Sequence, residues 1–193
     1  TFHFNEILSK IISIRKIELD QIENFVNPTI KKNLPNPNSI KDMDIATNAI
    51  ISHIQNKNII GIFGDYDVDG ATSTAILAKY FKHINQPFEL LIPDRIKDGY
   101  GPTEKGFDLL IDKGSKLIIS ADCGTSSFDA ILHAKNKNVE TIVLDHHQGD
   151  IKLPEATAIV NPNQINDKSN LVYLCAAGVC FMFLVALNSK LRN

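Results

Sequence analysis

The amino-acid sequence predicts an α/β fold with a mostly parallel sheet flanked by helices, preceded by a helical N-terminal segment. Short apolar runs alternate with helix-length segments, and each run is short enough to be a buried parallel strand. The runs are NIIGIF (58–63), FELLIP (88–93), KLIIS (116–120) and ETIVLD (140–145), with helices expected near 72–84, 104–113 and 127–138. Strands that alternate with helices are joined by crossovers, which favours a parallel sheet.

The region before the first strand predicts helices and a linker. FNEILSKIISI (4–14) carries apolar residues at helical spacing, and NPTIKKNLPNPNSI (27–40) is rich in Pro and Asn. We therefore expect a helical extension and linker over residues 1–40 and an α/β domain over residues 41–193.

The segment KDMDIATNAIISHIQNK (41–57) predicts the helix that leads into the sheet, because it opens with Asp and has helical apolar spacing. Its expected apolar face consists of Ile45, Ala49, Ile50 and Ile54.

Composition limits the possible classes of protein. The 193 residues are 44% hydrophobic and 22% charged, with a formal net charge of −2, which is typical of a soluble globular domain. No apolar run approaches the roughly 20 residues that span a bilayer, and no export signal opens the chain, so no membrane partner is expected. Three cysteines favour a reduced, cytoplasmic compartment, with Cys175 and Cys180 packed as small apolar side chains.

Polar side chains follow each predicted strand at its carboxyl end. They are Asp65, Asp67 and Asp69 after the first, Asp94 and Arg95 after the second, Asp122 after the third, and Asp145, His146 and His147 at the end of the fourth. In open α/β sheets this edge binds ligands, so parallel strands are expected to gather these residues into one cleft.

The acidic run Asp65, Asp67 and Asp69 requires a compensating charge. Residues two apart in an extended segment point to the same side, and like charges about 4 Å apart repel by roughly 1 kcal/mol even in water. A divalent cation would offset that repulsion. Carboxylates combined with imidazoles suit Mn²⁺ or Mg²⁺ better than a thiolate-bound metal.

The acidic run has three other interpretations. DYDVDG begins like an EF-hand calcium loop, but the twelfth position is Ile76 instead of Glu, which rules that loop out. A strand ending in D-x-D-x-V resembles the nucleophile motif of haloacid-dehalogenase phosphatases, with Ser120 as its second motif, although no later acidic pair is evident. A solvated turn would explain one Asp-Gly cluster but not three strand ends together.

Five segments in order resemble the motifs of the DHH phosphoesterase superfamily, specifically its RecJ branch of single-strand-specific exonucleases. They are GDYDVDGATS, IPDRIKDGYGP, SADCGTSS, LDHHQGDIKLPEATAIVNPN and YLCAAGVCF, which together span about residues 40–187. The resemblance implies a Rossmann-like catalytic DHH domain over residues 41–193. It also implies that this domain is incomplete at its C-terminus, because the family has a further metal-binding Asp and a DHH-associated domain beyond that point.

The resemblance also implies roles for individual residues. The metal ligands would be Asp65, Asp67, Asp69, Asp122, His146 and His147, of which all but Asp65 would also be catalytic. Asp65 would be either a ligand or a residue that supports the ligands, and His147 either a ligand or a contact to the scissile phosphate. Substrate would be bound by Arg95, Gly99, Gly101, Gly124 and Thr125. Arg95 and the backbone N–H groups of Gly124 and Thr125 would contact phosphate, while Gly99 and Gly101 would allow close approach of the backbone. Asp145 would orient an imidazole, and Phe63 stands where many relatives have a further His.

The function that the resemblance implies is two-metal hydrolysis of single-stranded DNA. A RecJ-type enzyme with Mn²⁺ or Mg²⁺ would remove mononucleotides in the 5′→3′ direction during DNA repair and recombination, with a single-strand-binding protein or a helicase as partner. Alternatives are another DHH enzyme that cleaves oligonucleotides or cyclic dinucleotides, the phosphatase above, or an inactive DNA-binding scaffold.

Overall fold

The N-terminal region forms short helices. The structure is a computed structural model that describes residues 4–192, and its contacts divide the chain into one unit that ends at Asn36 and another that begins at Pro37. The first unit contains α1 (Glu6–Ile14), α2 (Ile22–Val26) and α3 (Ile30–Asn33). Asn5 caps α1 by accepting a hydrogen bond from the Leu8 N–H at 2.9 Å, as expected for a side chain that satisfies a free donor at a helix start. The Pro/Asn-rich stretch predicted as linker thus includes the single turn of α3.

The second unit contains a parallel sheet, which confirms the predicted α/β fold. Its strands in the described chain are β1 (Ile59–Gly64), β2 (Phe88–Leu91), β3 (Ser115–Ala121), β4 (Glu140–Leu144) and β5 (Ala158–Val160). They lie in the order β2-β1-β3-β4-β5, and every neighbouring pair is parallel. Strand β5 is absent from the sequence prediction, because three residues are too few to register as a strand by apolar length.

Helices cover both faces of the sheet. A short 3₁₀ turn (Pro37–Ser39) precedes α4 (Met43–Gln55), and the strands alternate with α5 (Val68–His83), α6 (Glu104–Asp112), α7 (Phe128–Asn136) and the last helix, α8 (Ala176–Leu191). The core on one face joins sheet residues such as Ile60 and Ile119 to α4, α5 and α8. The core on the other face joins Phe63 and Ile118 to α6 and α7. Within residues 4–192, no helix is long and apolar enough to cross a membrane.

The buried face of α4 differs from the sequence prediction at one position. Ile50 is fully buried, and Ala49 and Ile54 pack partly buried against the core, as predicted. Ile45 is 51% exposed, whereas Met43 and Ala46 are fully buried. Both sets of residues recur at three- and four-residue spacing and share Ile50, so the periodicity alone does not choose between them. Packing of α4 against α8 and β5 selects the face that carries Met43.

The strand order places a cleft at the carboxyl ends of β1 and β3. The connection from β1 through α5 leads to β2 on one side, and the connection from β2 through α6 returns past β1 to β3 on the other side. This reversal is the topological switch point of a doubly wound sheet, where ligands bind. The loops that follow β1 and β3 carry the acidic residues singled out in the sequence.

Candidate metal centre

The loop after β1 holds two carboxylates in different environments. Asp65 is 3% exposed and accepts the Tyr66 N–H at 2.8 Å, and burial raises its pKa above the usual value. Asp67 is exposed and caps α5 by accepting the Gly70 N–H at 2.9 Å, which is the main reason that its pKa is lowered. The helix start therefore stabilises the charged form of Asp67 beside the less favourably ionised Asp65.

Gly70 allows this loop to pass close to α5. A Cβ atom at Gly70 would lie 2.5–2.7 Å from the backbone and Cβ of Asp65, closer than such atoms approach in folded proteins. Gly70→Ala is expected to displace Asp65 and lower the free energy of unfolding by about 1–3 kcal/mol, as overpacking does. Chemical denaturation measures that loss.

The matched control is Gly178→Ala, also at the third position of a helix. Its Cβ would meet only the flexible Leu174 side chain, at 3.2 Å, so its stability should stay unchanged or rise slightly. Equal losses in the two variants would contradict the role given to the Asp65–Gly70 contact.

Asp69 links α5 to α8. Its two carboxylate oxygens accept the N–H groups of Ala176 and Ala177 at 2.8 and 2.9 Å, at the start of α8. The N-cap residue, Cys175, makes no capping hydrogen bond, so Asp69 replaces it. Cys180 is buried as the sequence predicted, but Cys175 is exposed, contrary to that prediction, because the N-cap position lies outside the packed face of α8.

Asp122 is buried at the carboxyl end of β3. Its backbone is in the left-handed region (φ 63°), and its N–H extends the sheet by donating to the Leu144 carbonyl at 2.9 Å. The residue is 1% exposed, and its Oδ1 atom has no hydrogen-bond partner. Burial, followed by the nearby charges of Asp69 and Asp67, raises the pKa of Asp122 to about 8. A buried, unpaired carboxylate oxygen is costly, and such strained, unsatisfied positions concentrate at functional sites.

The two histidines after β4 have different partners. The Nε2 atom of His146 lies 3.3 Å from Oδ1 of Asp122 and 3.5 Å from Oδ2 of Asp69. The Nδ1 atom of His147 lies 2.7 Å from Oδ1 of Asp145, and this hydrogen bond raises the pKa of His147 to about 8. Burial alone would raise the pKa of Asp145, but hydrogen bonds from His147 and Thr125 outweigh it and hold that pKa at about 2.

These side chains form two adjoining groups suited to divalent cations. One group contains Asp122, His146 and His147, and the other contains Asp65, Asp67 and Asp122. Within each group, the potential ligand atoms lie within 4.8 Å of one another. Oxygen donors with imidazole nitrogens suit Mn²⁺ or Mg²⁺, and the orphan oxygen of Asp122 belongs to a residue that both groups share. The residues therefore fit a pair of cations that share the Asp122 carboxylate.

Comparison with known families shows which family the chain belongs to. The family described as "DHH family, N-terminal domain" matches residues 59–193, which is most of the chain. The chain belongs to the DHH family. This match confirms the resemblance inferred from the five sequence motifs.

Individual relatives of this DHH domain are RecJ proteins. The single-stranded-DNA-specific exonuclease RecJ of Haemophilus influenzae is 35% identical over 163 residues, covering 84% of this chain and 28% of that protein. A crystal structure of exonuclease RecJ bound to manganese has a TM-score of 0.71 and 29% identity, over 79% of this chain and 38% of that one. RecJ from Thermus thermophilus in complex with Mg²⁺ gives a TM-score of 0.51 and 26% identity, over 79% and 17%. The DHH domain thus spans only a minor part of each relative.

Three of the predicted substrate contacts lie in the loop after β2 of the DHH domain. The Arg95 guanidinium lies over the Tyr66 ring, 5.3 Å from its centroid. Gly99 and Gly101 in the same loop have positive φ angles of 79° and 78°. Gly99 is exposed, and a Cβ atom there would meet only open space. This loop also brings the Tyr100 hydroxyl within 3.3 Å of His147 Nε2.

The other two predicted substrate contacts follow β3. Gly124 (φ 114°) is required by a close approach, because a Cβ there would lie 2.8 Å from Oγ of Ser120. Thr125 differs from the prediction, since its N–H and its hydroxyl both donate to Asp145, at 3.1 and 2.6 Å. Those two donors are therefore not free for substrate, and α7 begins only at Phe128.

Phe63, where the motif resemblance led us to expect a histidine in many relatives, is a core residue. It is 1% exposed and its ring packs edge-on against Phe107, with centroids 5.6 Å apart. The ring lies in the core on the α6 and α7 face, so this DHH domain uses the position for packing.

Sequence reasoning missed the residues that hold the tandem histidines in place. Asn161 and Asn163 follow β5 and donate to the backbone carbonyls of His147 and His146, at 2.9 and 2.5 Å. The Asn-Pro-Asn sequence would ordinarily indicate a turn, and only its place in the long DHH motif pointed to anything further.

Proposed function

We propose that the chain is the catalytic core of a metal-dependent nuclease that hydrolyses phosphodiester bonds in single-stranded DNA. The observation that carries this proposal is the buried Asp122 carboxylate, which has an unpaired oxygen and is common to two groups of potential metal ligands. The RecJ relatives and the manganese-bound RecJ structure support the substrate and the reaction type. Removal of mononucleotides in the 5′→3′ direction and a role in DNA repair and recombination form the finer part of the proposal.

The proposed ligands are carboxylates and imidazoles at the switch point: Asp65, Asp67, Asp69, Asp122, His146 and His147. Bound Mn²⁺ or Mg²⁺ would supply activation of water and neutralisation of charge on the phosphate. Asp122 would bridge the cations. Asp69 both caps α8 and lies beside His146, so it would be a further ligand. No side-chain nucleophile is required, because the hydrolytic water comes from solvent.

The polar groups around the cleft would receive the substrate. Arg95 would contact phosphate, because its planar guanidinium matches phosphate oxygens and lies in the loop that also brings Tyr100 to His147. Gly99 and Gly101 would let the nucleic acid backbone approach the loop after β2, whereas the missing side chain of Gly124 makes room for Ser120. Selectivity for single strands usually comes from a narrow passage with stacked bases.

The cytoplasm is the proposed compartment, since Cys123, Cys175 and Cys180 are all free thiols. A single-strand-binding protein or a helicase remains the proposed partner.

A nuclease assay tests the proposed function. Single-stranded and double-stranded oligonucleotides labelled at the 5′ or the 3′ end, together with a cyclic dinucleotide, would be incubated with Mn²⁺, with Mg²⁺ or with EDTA. The expected result is release of the 5′-labelled mononucleotide from the single strand only, dependent on metal. Because the chain spans a minor part of its RecJ relatives, the assay includes the complete natural polypeptide. Preference for the cyclic dinucleotide, or cleavage in EDTA, would contradict the proposal.

A further inference from the structure

Asn161 is a buried amide beside the metal centre whose donors and acceptor all have partners. It is 0% exposed, and its Nδ2 atom donates to Oγ1 of Thr125 and to the carbonyl of His147, both at 2.9 Å. Its Oδ1 accepts the Asn163 N–H at 2.8 Å. A flipped amide would place N–H against N–H, so the network fixes which end of Asn161 faces Thr125.

The direction of the next hydrogen bond follows from the donors around it. Oγ1 of Thr125 already accepts the Asn161 amide N–H, and Oδ2 of Asp145 already accepts the Thr125 backbone N–H at 3.1 Å, so Oδ2 is an acceptor. The Thr125 hydroxyl must therefore donate to Oδ2 of Asp145, at 2.6 Å, while it accepts from Asn161. Asn161 thereby sets the orientation of the Thr125 hydroxyl.

Asp145 in turn orients both histidines. Its Oδ1 accepts the N–H groups of His146 and His147 at 2.7 and 3.2 Å, and it also accepts Nδ1–H of His147 at 2.7 Å. The Nδ1–H of His147 is thus turned towards Asp145, which leaves Nε2, 3.3 Å from the Tyr100 hydroxyl, as the nitrogen that the neutral imidazole can offer to a metal. The tandem histidines are thus held by Asp145 through their N–H groups and by Asn161 and Asn163 through their carbonyls.

We propose that Asn161 is a positioning residue which, through Thr125 and Asp145, holds His147 with its Nε2 atom presented to the metal centre. This inference rests on the proposed function, since it assigns a role in the same site. It differs from an ordinary contribution to folding because the hydrogen-bonded chain ends on a ligand atom. Partners that orient ligands in this way typically change metal affinity by about 10- to 100-fold when they are lost.

Two pairs of variants test the proposal. Asn161→Ala removes the amide, and the near-isosteric Asn161→Asp keeps the shape but loses both donors. Thr125→Val keeps the shape and loses the hydroxyl, whereas Thr125→Ser keeps the hydroxyl. The control is Gln164→Met, which removes a buried amide of the same loop that donates to the Ile159 carbonyl and does not contact the histidines.

The measurements are calorimetric titration with Mn²⁺ and, in metal-free protein, the ¹³C relaxation of the His147 ring. We expect about 10- to 100-fold weaker Mn²⁺ binding and a more mobile ring in Asn161→Ala, Asn161→Asp and Thr125→Val. Thr125→Ser and Gln164→Met should bind Mn²⁺ as the parent does, whatever their melting temperatures. If Asn161→Ala fails to fold, Asn161→Asp and the two Thr125 variants still test whether Asn161 positions His147.

Two results would overturn the inference. The first is that the Asn161 variants bind Mn²⁺ as tightly as the parent and keep an equally ordered His147 ring. The second is that Gln164→Met loses as much Mn²⁺ affinity as an Asn161 variant of the same stability. Failure of the parent chain to bind Mn²⁺ would instead contradict the proposed function. The ring relaxation of the metal-free variants would then still decide whether Asn161 positions His147.

Discussion

Asp122→Asn is expected to abolish metal-dependent hydrolysis and, in metal-free protein, to raise the melting temperature. The two effects have one cause, a buried carboxylate with an unpaired oxygen among other acidic groups. An amide is isosteric but uncharged, so it relieves the repulsion and cannot bridge two cations. Activity should fall more than 100-fold, beyond the about 10- to 100-fold loss that follows removal of outer partners of a metal site.

The stability effect should depend on pH in a defined direction. The pKa of Asp122 rises from 3.8 to about 8 on folding, so the fold favours the neutral acid. The stability that this provides is complete below about pH 4 and is lost as the pH rises towards 8. One pKa unit corresponds to about 1.4 kcal/mol, so keeping Asp122 ionised at neutral pH lowers the free energy of unfolding by a few kcal/mol.

Thermal melts in EDTA at several pH values, with the parent and Asp122→Asn side by side, measure this dependence. The difference in melting temperature in favour of Asp122→Asn should grow from pH 5 to pH 8. All other titrating groups are common to both proteins, so this difference reports on Asp122. A variant that is less stable than the parent across that range, or that retains nuclease activity, would contradict the role of Asp122.

Addition of Mn²⁺ should give the second large effect, an increase in the melting temperature of the parent chain. A ligand that binds only the folded state at 100 times its Kd stabilises by about 2.7 kcal/mol, and 1 kcal/mol shifts a domain of this size by about 2–4 °C. The rise should therefore be about 5–11 °C, in melts or as saturable heat in calorimetry. In Asp67→Asn/His146→Gln, which removes one proposed ligand from each group, the shift and the heat should disappear.

The control for that titration is Lys113→Gln, which breaks only a surface ion pair with Glu89, at 2.8 Å, outside both metal-ligand groups. Such exposed pairs contribute about 0–1 kcal/mol, so Mn²⁺ should raise its melting temperature as in the parent. An equal Mn²⁺ shift in the double variant would place the binding elsewhere. No shift in the parent would contradict the cation site itself.

The fold and the location of the site could be predicted because both depend on local patterns. Apolar runs of strand length alternate with helical segments, and the carboxyl ends of parallel strands share one edge, so Asp65, Asp122 and His146 had to meet. Strand β5 was missed because an apolar run of three residues is too short to be recognised as a strand. Only Ile45 was wrongly placed on the buried face of α4, because two overlapping sets of apolar residues have the same helical spacing.

The supporting hydrogen bonds could not be read from the sequence, because they join segments far apart in the chain. Thr125 was expected to contact phosphate, but its N–H and its hydroxyl both donate to Asp145, 20 residues away. Asn161 reaches Thr125 across 36 residues, and Asp69 reaches Ala176 across 107. Thr and Asn are common in turns, so their identity alone does not reveal such partners.

The contact between Asp69 and the start of α8 has a consequence for biosynthesis. A chain leaves the ribosome from its N-terminus, and the donors that hold Asp69 are made 107 residues after it. Contacts of such long sequence separation form late, because a large loop must close before they are gained. The acidic cluster therefore reaches its final geometry only after α8 has emerged and docked. The DHH domain cannot complete its proposed cation site while most of the domain is still being translated.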